Sequence, residues 1–131
     1  MKLGYVILYV PSVAEAVAFY EKAFGLSCRF QNESDGQGYA ELETGQTVLA
    51  FASDSLAATH GFEHRKTSRQ DLPPSFEIAL VTEEVQQAYD RAVDEGSAPI
   101  KPPTQQPWGQ TVSYVRDLNG YLVEICSPVS S

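Results

Sequence analysis

His60 and His64 are the only histidines in the chain. A separation of four residues sets two imidazoles on one helical face, a spacing that metal sites use. Gly61 and Phe62 stand between them in a polar stretch, so a surface loop is their expected home. Any histidine-based catalysis would have to use these two side chains. Cys28 and Cys126 lie far apart and make no close-spaced metal knuckle. They are expected to be reduced, partly buried thiols of a cytoplasmic protein. A different chemistry is written into the first apolar run. Tyr5, Ile7 and Tyr9 alternate along a strand and must share one face. Such a row suits the burial of a flat organic molecule against aromatic rings.

The elements that position these residues are written twice. Residues 3–10 are β-branched and aromatic and predict a strand. Pro11 ends it, and Ser12 followed by Glu15 predicts a capped helix start. Val13, Ala16, Val17, Tyr20 and Phe24 recur at helical spacing, and Gly25 stops the helix. Strands are expected at 27–31, 39–42 and 47–52, with a polar turn over 32–38 and a tight one at Thr44-Gly45-Gln46. The second copy opens with a strand over 76–81. Thr82 is the expected cap of a helix carrying Val85, Ala88, Tyr89, Ala92 and Val93, stopped by Gly96. Extended chain follows at 99–103, then a strand over 111–116, the Asn119-Gly120 hairpin signal and a last strand to Cys126. The whole chain, 1–131, is expected to be a single domain of two βαβββ modules, 3–53 and 75–128. Residues 54–74 form the connector, a lid or partner-facing segment.

The charge balance is −8, with a sequence pI near 4.6. That excludes nucleic acid and anionic membrane as expected partners, because a phosphate surface would be repelled. No apolar run is long enough to span a bilayer, and residues 1–4 lead into a strand without the pattern of a signal peptide.

Val10-Pro11-Ser12-Val13, then Phe19-Tyr20 and Phe24-Gly25, then Trp108-Gly109-Gln110 and Arg116-Asp117-Leu118-Asn119-Gly120-Tyr121-Leu122-Val123-Glu124, form a pattern covering nearly the whole chain. It resembles the glyoxalase/bleomycin-resistance/dioxygenase group, also called the vicinal oxygen chelate superfamily. The resemblance implies an α+β fold in which two βαβββ modules form a partly open mixed β-barrel around a shared cavity, with helices outside. It also implies a homodimer. In metal-dependent members the ion is held on the first and last strands of the modules. The corresponding positions here are Tyr5 and Leu49, the latter four residues past Gly45, and Glu77 and Glu124, the latter four past Gly120.

A catalytic divalent ion needs about three protein ligands and an open position. A neutral phenol is a poor ligand, and Leu49 is none. Glu77 and Glu124 alone would hold a hard cation weakly, so no cofactor is expected. Slipping the first strand by a residue pair offers only Leu3, Ile7 or Tyr9. Glu41 or Glu43 can add a carboxylate from a neighbouring strand, although a solvated strand face is their plainer reading. For Glu77 the plainer reading is a sheet-edge or dimer-contact carboxylate. The same positions describe a largely apolar cavity. Leu49 and Phe51 would join Tyr5, Ile7 and Tyr9, with Trp108 at the mouth and Glu77 and Glu124 as acids in the wall. The function implied is metal-free binding of a small aromatic or amphipathic molecule. The competing implication is an enzyme using a divalent metal, a lactoylglutathione-lyase-like protein or a dioxygenase, in which Glu77 or Glu124 would bind the ion or move a proton. A packed barrel with no ligand at all is the third possibility.

Overall fold

The computed structural model describes residues 1–129. The chain divides into two compact units, residues 1–66 and the residues from Thr67 onward.

The first unit runs β1 (Tyr5–Val10), α1 (Val13–Phe24), β2 (Ser27–Ser34), β3 (Gln37–Glu43), β4 (Val48–Ser53) and α2 (Asp54–Ala58). Its sheet has the order β1-β4-β3-β2, with β1 parallel to β4 and the other pairs antiparallel. Ser12 caps α1, its hydroxyl accepting from the Glu15 amide at 3.3 Å. One stripe of α1 is apolar and buried, and Tyr20 packs on Phe51 of β4 with ring centroids 4.9 Å apart. Leu8, Val10, Ala40, Leu42 and Phe51 fill the layer beneath the helix and are almost wholly buried. The polar turn expected over 32–38 narrows to a tight hairpin. β2 and β3 pair as far as Ser34 and Gln37, across Asp35 and Gly36 at φ of 55° and 75°. Two successive positive φ values match the right-handed twist of a hairpin, and Asp-Gly is the dipeptide that adopts them.

The second unit repeats the order with β5 (Glu77–Val81), α3 (Val85–Asp94), β6 (Ala98–Gln105), β7 (Thr111–Arg116) and β8 (Leu122–Cys126). The sheet order is β5-β8-β7-β6, again with the first and last strands parallel. The fold is therefore α+β, with βαβββ order in each half. Thr82 does not cap α3 as the sequence suggested. Its hydroxyl accepts from the Glu84 amide at 3.1 Å, before the helix begins, and the cap residue Glu84 makes no capping bond through its side chain.

Residues 68–71 are not a loose connector. Arg116, only 7% exposed, donates from Nη2 to the Ser68 carbonyl at 3.0 Å and from Nη1 to the Asp71 carbonyl at 2.7 Å. It also reaches the carbonyls of Arg69 at 3.3 Å and Gly120 at 2.9 Å. Arg69 reciprocates, donating to the carbonyls of Asp117 at 2.7 Å and Gly96 at 2.6 Å. Gly120 has φ of +96°, and a Cβ there would lie 2.7 Å from the Ser68 carbonyl carbon. The β7–β8 turn therefore needs glycine for both its backbone angle and the closeness of the strap. Among the described residues no helix is long and apolar enough to cross a membrane.

Candidate ligand-binding faces

Each sheet has one side under its helix and one side away from it. In the first unit Phe51 meets α1, so Leu49, two residues earlier, shares that side. Leu49 is 5% exposed and pairs across the sheet with Val6 and with buried Leu42. The expectation that Leu49 and Phe51 line a cavity with Tyr5, Ile7 and Tyr9 is thus corrected: they are helix-side core residues. The side away from α1 carries Val48, Ala50 and Ala52, in register with Tyr5, Ile7 and Tyr9.

The error has a definite source. Two residues, 46 and 47, separate Gly45 from β4, whereas Tyr121 alone separates Gly120 from β8. Counting four residues from each turn glycine therefore lands on opposite sides of the two sheets. The registers settle the equivalence. Tyr5 pairs with Val48 and Ile7 with Ala50, as Glu77 pairs with Leu122 and Ala79 with Glu124. Glu124 corresponds to Ala50, and Glu77 to Tyr5.

On the first unit's open side, Glu41 pairs with Ala50 and Tyr39 with Ala52. A bulge between Cys28 and Phe30 re-aims β2. It brings Phe30 within 6.3 Å of Tyr39, centroid to centroid, and Arg29 Nε within 3.2 Å of Glu41 Oε1. The Tyr39 hydroxyl donates to Glu41 Oε2 at 2.8 Å. Burial, then the hydrogen bond and charge of Glu41, push the Tyr39 phenol up to about 12. Glu41 is accordingly a paired carboxylate with its side chain 14% exposed, whereas Glu43, 3.8 Å from Arg29 Nη1 and 58% exposed, lies on the solvated strand face expected for both. Tyr5 and Ile7, on the edge strand, are 55% and 45% exposed. This side thus presents three phenols, one Phe and an Ile around a floor of small residues.

The second unit's open side is acidic. Glu77 and the Glu124 carboxyl lie within hydrogen-bonding reach of one another. Burial first, then the Glu124 charge and that hydrogen bond, raise the Glu77 carboxyl above its ordinary range. The Tyr114 hydroxyl lies 3.4 Å from Glu124 Oε1, and its phenol is raised, chiefly by burial. Cys126 completes the group, its thiol pushed up to about 11 by burial and then by Glu124. Trp108 is 60% exposed, and its indole N–H donates to Gln110 Oε1 at 2.8 Å. Gln110 in turn donates to the Ser127 carbonyl at 2.9 Å and contacts the Cys126 side chain. Sequence reasoning missed Tyr39, Arg29, Tyr114 and Gln110, none of which stands on a first or last strand. Alternation along 37–43 and 111–116 would have found the two tyrosines.

The histidines part company. His60 is exposed. His64 is half-buried, with Nε2 3.1 Å from Asp54 Oδ1 and its ring 4.7 Å from Tyr9.

The sequence profile of the Glyoxalase/Bleomycin resistance protein/Dioxygenase superfamily matches residues 2–125. The chain belongs to this superfamily. Solved structures share its fold at low identity. A glyoxalase-related enzyme from Fulvimarina pelagi is 22% identical, with a TM-score of 0.81 over 97% of this chain and 88% of that one. TioX from Micromonospora sp. ML1 is 20% identical, with a TM-score of 0.71 over 97% and 98%. A superfamily member from Sphaerobacter thermophilus DSM 20745 is 22% identical, with a TM-score of 0.74 over 98% of each chain. No curated protein matches the chain significantly.

The donor set does not fit the superfamily's catalytic ion. Of the corresponding positions, Tyr5 offers a phenol, Ala50 offers nothing, and Glu77 and Glu124 are the only two carboxylates. Among the described residues no three His, Cys, Asp or Glu side chains are grouped to hold a metal.

Proposed function

We propose that this superfamily member binds a small aromatic or amphipathic molecule and works without a metal. The aromatic side of the first sheet is the observation that carries this reading. Tyr5, Ile7, Tyr9, Phe30 and Tyr39 surround Ala52 and Ala50, the latter at a position where a metal-dependent relative would need a ligating side chain. Burying a flat ring against such a surface contributes about 25 cal/mol per Å² before the cost of association. The Arg29–Glu41–Tyr39 chain holds its polar groups in fixed positions. The second unit's Glu77–Glu124 pair suits an amine or another hydrogen-bond donor. The proposal includes a cytoplasmic location, supported by two free thiols. It also includes a homodimer, supported by β5, a sheet edge that leaves Phe76 and Val81 exposed at 44% and 62%.

A second reading, a lyase or dioxygenase, draws on Glu77 and Glu124, because a carboxyl raised above its ordinary range can act in proton transfer. The test is isothermal titration of the tag-free protein with a panel of planar aromatic amines and their neutral analogues. Saturable binding that is lost in Tyr5→Ala, in protein stripped of metal, supports the proposal. Binding that appears only after a divalent metal is added favours the second reading.

A further inference from the structure

The stretch after α2 holds a separate cleft, built entirely within the first unit. Its volume is about 470 Å³, inside the range of about 300–1,000 Å³ usual for small-molecule sites. Phe62, His64 and Lys66 line it, at the two-residue period of an extended chain. Pro11, after β1, and Asp54, Ser55 and Ala58, on α2, complete the lining.

His64 is held here by two contacts, the Asp54 carboxylate at 3.1 Å and the Tyr9 ring at 4.7 Å. In the tautomer that donates Nε2–H to the carboxylate, Nδ1 is an acceptor. Asp54 is satisfied by this bond and by its place in the first turn of α2. Lys66 differs: among the described residues it makes no ion pair. A cation without an ion-pair partner, in a chain of net charge −8, stands beside a cleft whose other lining is apolar at Phe62, Ala58 and Pro11 and polar at Ser55, His64 and Asp54, the last engaged by His64. The complement of that lining is an anion with an apolar body.

We infer that this cleft binds a small organic carboxylate bearing an apolar body and a hydrogen-bond donor. The carboxylate pairs with the Lys66 ammonium, the body packs on Phe62 and Ala58, and the donor meets His64 Nδ1. The inference goes beyond the aromatic-face reading and shares only Tyr9 with it, so either can fail alone.

Mandelate, which carries a carboxylate, a hydroxyl and a phenyl ring, is the probe. It is titrated into the uniformly ¹⁵N-labelled full chain while amide shifts are followed. Saturable shifts centred on 54–58 and 62–66 are expected. Lys66→Met keeps the aliphatic stem and should weaken binding about fivefold, the weight of one solvent-accessible ion pair. Mandelamide, which lacks the charge, should bind the wild-type chain as weakly. Arg65→Met, at an alternate position outside the lining, should leave binding unchanged. The absence of saturable shifts in 54–66, or equal binding of mandelate and mandelamide, would overturn the inference. Equal mandelate affinity in Lys66→Met and wild type would do the same.

Discussion

Arg116 is the residue whose loss should be felt most. It is nearly buried, and it bonds four backbone carbonyls, three of them in the 68–71 strap and one at Gly120. Arg116→Met keeps much of the volume and removes every one of those donors. A hydrogen bond to a charged group contributes about 1.5–3 kcal/mol, and a stranded buried acceptor carries its own penalty. The four bonds are not additive, and strap carbonyls freed from the turn regain water. The expected net loss is about 3–5 kcal/mol. Unfolding entropy of about 2.1 cal/mol/K per residue gives about 0.28 kcal/mol/K for 131 residues, so the midpoint should fall by about 10–18 °C. Calorimetry with circular dichroism at matched scan rates measures it. Arg116→Lys, which retains the charge but not the fork, should fall between. Trypsin should also cut near Arg69 faster in Arg116→Met, because the strap is released. A midpoint within about 3 °C of wild type, with unchanged proteolysis, would refute the view that this guanidinium ties the strap to the β7–β8 turn.

Three other outcomes follow from the site. Glu77 is raised, so its protonated form favours the folded chain, and its contribution is lost as pH rises from the ordinary carboxylate range through the folded value. Glu77→Gln should therefore raise the melting midpoint at pH 8 and give no gain at pH 4; a gain confined to acid would contradict the carboxyl pairing. Tyr39→Phe should cost about 1 kcal/mol for its hydrogen bond to Glu41 and should remove the latest phenolate transition in an ultraviolet titration, near pH 12. Phe51→Ala should cost about 3–5 kcal/mol in stability yet leave aromatic-ligand affinity intact, since Phe51 faces α1; lost affinity at unchanged stability would return it to the ligand side.

Much of this was legible in the sequence, for physical reasons. Ser12 and Gly25 bracket α1 because cap chemistry is local, and Gly120 marks its turn because its φ of 96° favours glycine. Side-chain direction was harder. A strand has period two, so the one-residue difference between the Gly45–β4 and Gly120–β8 spacings was enough to misplace Leu49 and Phe51. Thr82 looked like a cap, yet its hydroxyl closes a turn one step before the helix. The grip of Arg116 on residues 68–71 spans more than forty positions and leaves no local pattern. Glu41 was expected in solvent; the β2 bulge that delivers Arg29 to it has no composition signal.

Metal content tests the central claim most directly. The tag-free protein would be produced in medium supplemented with zinc, nickel, manganese and iron, desalted, and analysed by mass spectrometry of its elements. Two carboxylates, a phenol and an alanine predict metal far below one equivalent per chain, with aromatic-ligand binding unaffected by chelator. A tightly held equivalent of one metal, lost in Glu77→Ala or Glu124→Ala and required for ligand binding, would contradict it.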